Sequence, residues 1–73
     1  MDGRVPELYW DATYAISVAL MEEYPDRHPE DVGLQELAVL VESLAGFNDD
    51  PAMVTERILL DILNVWYEEA SNL

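Results

Sequence analysis

Proline divides this 73-residue sequence into three stretches, and each stretch carries apolar residues at the spacing of an α-helix. Pro25, Pro29 and Pro51 mark the boundaries, because proline disfavours a helical conformation in the residue before it and cannot donate a hydrogen bond from its own nitrogen. No stretch shows the alternation of apolar and polar residues that a half-buried strand needs. The sequence therefore predicts an all-α, compact, three-helix domain.

The first predicted helix begins at Asp11, whose carboxylate can cap the first turn, and ends near Tyr24. Its core face is expected to be Ile16, Ala19, Leu20 and Tyr24. A second apolar stripe on roughly the opposite side is Tyr14, Val18 and Met21. Both sides cannot face one small core. Either an N-terminal arm with Val5, Leu8 and Tyr9 covers the stripe, or another protein does, as in a homodimer through this helix.

The second predicted helix ends at Gly46, because glycine readily adopts the left-handed conformation that follows a helix. Its apolar side is Leu34, Leu37, Leu40, Val41 and Leu44. The third helix is predicted to start with Asp50 as N-cap and Pro51 at the first helical position, and to run to about Ala70. The aromatic residues expected in the core or at its edge are Trp10, Phe47 and Trp66.

The chain carries 16 acidic residues against three arginines, for a net charge of −13 at pH 7, yet 51% of it is hydrophobic. That apolar content separates it from acidic disordered tails. Such a charge repels nucleic-acid phosphates and anionic lipids, which are bound by clustered basic residues. We therefore expect no nucleic-acid binding and no membrane binding. The acidic field instead favours a basic protein surface or cations.

Residues 1–8 are predicted to form a flexible N-terminal arm, since Gly3 and Pro6 interrupt any regular element there, and residues 9–73 a single helical domain. The first residues lack the apolar segment of a signal peptide, and the longest apolar run, 37–41, is far shorter than the ~20 residues that span a bilayer. The sequence has no cysteine, which excludes disulfides and a cluster held by the protein. These features predict a cytoplasmic protein.

Several landmarks recur in a fixed order between Leu8 and Ala70. They are Trp10, then Tyr24-Pro25-Asp26-Arg27-His28-Pro29, then Phe47-Asn48-Asp49-Asp50-Pro51, then Ile58-Leu59, and finally Val65-Trp66-Tyr67-Glu68-Glu69-Ala70. In this order and at these intervals, the chain resembles the IscX family, small acidic proteins of the bacterial iron–sulfur cluster assembly system. Each landmark alone is weak, but the ordered set in a chain of this size and charge is specific.

The resemblance implies a compact helical fold that is winged-helix-like but lacks DNA-binding chemistry. It also implies binding to the cysteine desulfurase IscS at a basic surface shared with frataxin, and weak binding of Fe²⁺ through surface carboxylates, with no tightly bound cofactor. Proteins of this kind modulate cluster assembly and are not enzymes. The charge of this chain agrees with a basic partner and with cation affinity.

This sequence departs from the family pattern at three places. Where the family carries charged residues on the outer side of the first helix, this chain has Tyr14, Ala15 and Val18. His28 replaces the usual Asp between the two prolines, and Asn48 replaces the first acid after the phenylalanine. These changes thin the carboxylate cluster, and they weaken the case for iron binding more than the case for desulfurase binding.

Carboxylates near the first turn are the candidate metal ligands, because Fe²⁺ accepts hard oxygen ligands. The candidates are Glu22, Glu23, Asp26, Glu30 and Asp31, with Asp49 and Asp50 as a second group. The same run of charges is also typical of a solvated turn, and Asp49 and Asp50 also fit a capping role. His28 is expected to be exposed and not a ligand, because no second histidine supports it.

The residues predicted to bind the partner are Asp26, Asp49, Asp50, Tyr67, Glu68 and Glu69. Glu68 and Glu69 lie at the C-terminus of the last predicted helix, where a carboxylate is unfavourable by a few tenths of a kcal/mol. No neighbouring residue in the sequence compensates for this unfavourable placement of Glu68 and Glu69, which indicates that they serve in binding.

Catalysis has no support in the sequence, which lacks a nucleophile–base set and a phosphate-binding loop. The sequence therefore predicts a non-enzymatic regulator of cluster assembly that binds the desulfurase through its acidic face. One alternative is an iron donor or iron-sensing adaptor whose carboxylates must be loaded with metal. Another is an acidic interaction module that mimics nucleic acid and blocks an unrelated basic protein.

Overall fold

The computed structural model of the chain describes residues 7–72. Its helices are α1 (Thr13–Glu23), α2 (Leu34–Glu42) and α3 (Glu56–Ser71), with single-turn 3-10 helices at Pro29–Asp31 and Pro51–Met53. In that part of the chain, the extended backbone forms one isolated parallel bridge, between Leu8 and Phe47, and no sheet. The prediction of an all-α, three-helix domain is confirmed. The finer relation to a winged helix stays a prediction.

The helices α1 and α3 pack side by side and run in the same direction. Near the middle of both, the Ser17 hydroxyl lies 3.3 Å from the Ile62 carbonyl oxygen. Towards the C-terminal ends, Met21 shares a surface groove with Trp66. Towards the N-terminal ends, the segment just before α1 shares another groove with Ile58. The C-termini of α1 and α3 therefore lie at the same end of the molecule.

All three helices contribute to one hydrophobic core. Its most deeply buried apolar residues are Ile16, Leu20, Leu37, Val41, Ile62 and Trp66. The predicted core face of the first helix is confirmed, since Ala19 and Tyr24 also pack against these residues. Trp10 is buried, and the Phe47 ring packs edge-on against it with ring centroids 4.9 Å apart. The predicted core positions of these aromatic residues are confirmed.

Ser17 is a buried polar residue on the core face of α1 that the apolar pattern did not reveal. Its hydroxyl donates a 2.8 Å hydrogen bond to the Thr13 carbonyl oxygen and lies close to the backbone of α3. The short side chain lets the two helices approach, and the hydrogen bond compensates for the burial of a polar group.

The predicted start of the first helix is wrong. The helix begins at Thr13 with Ala12 as N-cap, and no side chain caps it. The reason is a turn just before the helix, closed by a 2.9 Å hydrogen bond from the Ala12 N–H to the Tyr9 carbonyl oxygen. Asp11 lies within this turn, so its carboxylate does not cap the helix.

The second helix is shorter than predicted and ends at Glu42. The Ser43 hydroxyl donates a 2.8 Å hydrogen bond to the Val39 carbonyl oxygen, so it competes for a group in the last turn. Gly46 has a φ of 90°, a conformation that suits glycine, but it ends the turn after the helix and not the helix itself. Its carbonyl oxygen accepts a 2.8 Å hydrogen bond from the Leu8 N–H.

The third helix does not start at Pro51. Asp50 does act as an N-cap, accepting a 2.9 Å hydrogen bond from the Ala52 N–H, but it caps a separate 3-10 helix. Val54 is then extended, and α3 begins at Glu56 with Thr55 as its own N-cap. The sequence therefore carries two helix-start signals in succession, and the second one begins the long helix.

Leu8, the last residue of the predicted arm, is buried in the core. Its backbone pairs with the segment after α2, where the Asn48 N–H donates a 2.9 Å hydrogen bond to the Leu8 carbonyl oxygen. Leu8 is therefore part of the folded body. Residues 1–6, which make up most of the predicted arm, lie outside the described residues.

Candidate functional site

Acidic residues collect at the end of the molecule where α1 and α3 terminate together. Glu22 and Glu23 are in the last turn of α1, and Glu68 and Glu69 are near the end of α3. Asp26 is exposed in the turn that follows α1. These five residues are called the acidic pole below. Neither helix has a basic residue in its last turn, so the carboxylates add to the negative ends of two parallel helix dipoles.

The turn after α1 lies against the C-terminal part of α3. Pro25 and His28 line a groove of about 400 Å³ together with Trp66 and Ala70. Arg27, also in this turn, forms an ion pair with Glu36 of α2. The cation nearest to the acidic pole in the sequence is therefore already paired. Among the described residues, no cation is paired with a carboxylate of the pole.

The other members of the predicted set at this end are accessible too. Tyr67 is 53% exposed on α3, and His28 is exposed as expected. Glu30 and Asp31 are exposed on the 3-10 helix, which packs on α3 and also contains the buried Pro29. The structure thus brings predicted carboxylates from three separate segments to one end of the molecule.

The arrangement of the carboxylates does not fit a built metal site. Within residues 7–72, no three His, Asp or Glu side chains are placed so that they could hold a metal ion together. The candidate ligands Glu22, Glu23, Asp26, Glu30 and Asp31 are all exposed. Weak iron binding through them stays a prediction, and no step of a mechanism is assigned to iron.

Asp49 has a structural role that engages both oxygens of its carboxylate. Oδ2 accepts a 2.9 Å hydrogen bond from the Trp10 backbone N–H, and Oδ1 accepts a 2.7 Å hydrogen bond from the Asp50 N–H. The Trp10 indole N–H in turn donates a 2.9 Å hydrogen bond to the Asp50 carbonyl oxygen. The pair Asp49 and Asp50 therefore fastens the segment before α1 to the loop before α3.

This pair lies at the opposite end from the acidic pole. Asp49 lines a groove with Trp10 and Ile58, near the N-terminal ends of α1 and α3. The structure thus divides the predicted partner-binding residues into two groups. Asp26, Tyr67, Glu68 and Glu69 are at one end, and Asp49 and Asp50 are at the other. A role of Asp49 and Asp50 in binding stays a prediction.

The second apolar stripe of α1 does not behave as one surface. Met21 packs against the core, whereas Tyr14 is 61% exposed and Val18 is half-buried. Tyr14 and Val18 line an open groove of about 420 Å³, which is called the apolar groove below. Its other lining residues are Leu8, Ala15, Ala19, Glu22, Glu23, Leu44 and Ala45. Leu8, which belongs to the arm expected as one alternative to cover this stripe, does line the groove, whereas the contribution of Leu44 and Ala45 after α2 was not predicted.

Tyr9 is exposed next to Asp49 and carries the clearest perturbed ionisation in the described part of the chain. Its hydroxyl donates a 2.5 Å hydrogen bond to Glu7 Oε1. That bond raises the pKa of Tyr9 above its ordinary value of 10.0, because it stabilises the neutral phenol. Tyr9 therefore stays protonated at neutral pH.

Comparison with known families decides the relationship. The model of the family described as iron-sulphur cluster assembly, the family of IscX, matches residues 8–71. The chain belongs to this family. The match begins at Leu8, which among the described residues is the first whose backbone pairs with a distant segment. It includes both ends of the molecule described above.

Family membership places the chain in iron–sulphur cluster assembly, among small accessory proteins and not in a known enzyme family. The structure also explains two of the landmarks. Trp10 and the segment from Phe47 to Asp50 are distant in sequence but joined by ring packing and two hydrogen bonds. Among the helices within residues 7–72, none is long and apolar enough to cross a lipid bilayer.

Proposed function

We propose that the chain is a non-enzymatic accessory protein of iron–sulphur cluster assembly that binds the cysteine desulfurase through its acidic pole and thereby modulates assembly. The acidic pole carries this proposal. Charged residues that complement a partner steer the encounter and set the orientation of the complex. The family supports a partner within cluster assembly rather than an unrelated basic protein.

The cost of the acidic pole supports a role in binding. Carboxylates near a helix C-terminus oppose the helix dipole, at about 0.3–1 kcal/mol each on an exposed surface. The chain places carboxylates in the last two turns of both parallel helices, without a basic residue in the last turn of either. A basic partner surface would convert this unfavourable arrangement into favourable contacts. The desulfurase surface that the family resemblance implies, shared with frataxin, has that character.

Calorimetric titration of the purified desulfurase with this chain tests the proposal. We expect binding at low salt that weakens steeply as salt is raised, because exposed charges are screened beyond about 10 Å at 0.1 M ionic strength. We also expect frataxin to compete for the same surface. Absence of binding at low salt would refute the proposal.

A matched pair of double variants separates the acidic pole from the overall charge. Glu68→Gln with Glu69→Gln removes two charges from the pole, and Glu42→Gln with Glu56→Gln removes two charges elsewhere. We expect the first pair to weaken binding about three- to tenfold and the second to have little effect. Equal losses would mean that only the net charge matters and that the pole is not the contact.

A further inference from the structure

Among residues 7–72, the apolar groove is open along the side of α1 that carries Tyr14, Ala15 and Val18. Tyr14, Ala15 and Val18 form one wall, and Leu8 and Leu44 form part of the other. Its volume of about 420 Å³ falls within the range of roughly 300–1,000 Å³ that is typical of ligand sites. This concave apolar surface can bury apolar side chains of a partner.

The groove is continuous with the acidic pole. Glu22 and Glu23 line it, and Glu22 also lines the neighbouring groove beside Trp66. The only charged side chains in its described lining are these two carboxylates. A segment that fits both features presents an apolar side chain with Arg or Lys next to it.

A second copy of the chain fits the same groove poorly. Each copy carries a net charge of −13, and self-association would bring two such fields together. A copy docked on the groove would also meet Glu22 and Glu23 without a basic residue in the described lining to pair with them. Charge complementarity therefore favours a basic partner over a homodimer.

We propose that the apolar groove receives an apolar side chain that projects from the basic surface of the partner, while the acidic pole pairs with that partner's Arg and Lys residues. This inference rests on the proposed function and adds a second, uncharged component to the contact. The acidic pole speeds the encounter with the partner and makes the affinity depend on salt. The groove adds an apolar contact whose strength does not depend on salt screening.

Three substitutions that each introduce one carboxylate test the groove in the desulfurase titration. Val18→Glu and Ala15→Glu place the charge in the groove, whereas Val39→Glu places it on α2, where Val39 is 60% exposed. If charge alone determined binding, all three would strengthen binding to a basic surface. We expect both groove variants to bind about tenfold more weakly, and Val39→Glu to bind as well as the unmodified chain or better.

The two groove variants separate a loss of binding from a loss of folding. Val18 is half-buried, so a charge there can destabilise the fold. Ala15 is exposed on a helix, so Ala15→Glu is expected to preserve the fold. Circular dichroism verifies the fold of each variant. The loss in the groove variants should persist at high salt, because it comes from apolar contact. Salt that abolishes the loss would overturn the inference.

The outcomes distinguish the two proposals. If the unmodified chain does not bind the desulfurase, the proposed function fails and this inference fails with it. If it binds and the groove variants bind no more weakly than Val39→Glu, only the groove inference fails. An NMR comparison of the free chain with a variant that lacks residues 1–6 tests the N-terminal arm as the occupant, and shifted signals of Ala15 and Val18 would assign the groove to the arm and overturn the inference. Sedimentation velocity of the free chain tests a second copy as the occupant. A concentration-dependent dimer that Ala15→Glu abolishes would assign the groove to a second copy and overturn the inference.

Discussion

The indole N–H of Trp10 donates a 2.9 Å hydrogen bond to the carbonyl oxygen of Asp50, 40 residues later in the chain. The Trp10 backbone N–H donates a second bond of 2.9 Å to the Asp49 carboxylate. Together they fix the entrance to α1 against the loop that leads to α3. Trp10 and the segment Asp49-Asp50 are thus parts of one structural unit. This unit lies at the end of the molecule where α1 and α3 begin.

Asp49→Asn is expected to lower the free energy of unfolding by about 1–3 kcal/mol. The carboxylate accepts two backbone N–H groups, and an amide would present a donor to one of them. Urea denaturation followed by circular dichroism measures the change.

Asp61→Asn is the matched control, because it removes the same charge from an exposed i,i+4 pair with Arg57, whose atoms lie 3.5 Å apart. Such a surface pair contributes about 0–0.5 kcal/mol. If both variants unfold at the same urea concentration, the role assigned to Asp49 is wrong.

Ser17→Leu is expected to lower the free energy of unfolding by about 1–3 kcal/mol, because the buried Ser17 hydroxyl lies 3.3 Å from the backbone of α3 and leaves no room for a larger group. Ser17→Ala should change stability by less than about 1 kcal/mol, since the lost hydrogen bond is partly offset by the helix propensity of alanine. Thermal denaturation measures both. A stable Ser17→Leu protein would contradict the close packing of α1 on α3.

The pKa of Tyr9 should lie above its ordinary value of 10.0, because the hydrogen bond to Glu7 stabilises the neutral phenol. A raised pKa means that the stabilisation by the neutral phenol is present below pH 10 and is lost as the pH rises through the folded-state pKa. NMR of the tyrosine ring carbons follows the titration. In Glu7→Gln the midpoint should move down towards 10.0, and an unchanged midpoint would mean that the hydrogen bond is not the cause.

Much of the fold could be predicted from local signals. The apolar spacing identified Ile16, Leu20 and Ile62 as core residues, because burial on a helix repeats at a fixed period. Asp49 could not be assigned in this way, since its main partner, Trp10, is 39 residues away. The third helix was predicted to start at Asp50, and the second cap at Thr55 was not predicted, because only tertiary packing selects between the two.

The candidate site was predicted in parts rather than as a unit. The sequence identified Asp26 and Glu68 as partner-binding residues, but it gave no information on the relative direction of α1 and α3. The relative direction of the two helices depends on the path of the chain between them. Only because the helices are parallel do their C-terminal carboxylates lie together in the acidic pole. The sequence named Leu8 as one alternative cover for the Tyr14 side of α1, but it gave no sign that Leu44 completes the second wall of the apolar groove.

Fe²⁺ should bind weakly and without a defined site. No three His, Asp or Glu side chains within residues 7–72 are placed to hold a metal, so we expect dissociation constants on the order of millimolar and strong weakening by salt. NMR titration under anaerobic conditions measures this, with Mg²⁺ as the control for general cation screening. A saturable micromolar site at Glu22, Glu23 or Asp26 would contradict the expectation and favour the iron-adaptor alternative.

The most direct measurement is an NMR titration of the isotope-labelled chain with substoichiometric cysteine desulfurase at low salt. We predict that backbone signals from Glu22 to Asp26 and from Tyr67 to Glu69 lose intensity first, and that added salt restores them. Signals around Asp49 and Val39 should persist longest. No loss of signal at low salt, or a loss that begins around Asp49 and spares the acidic pole, would contradict the account.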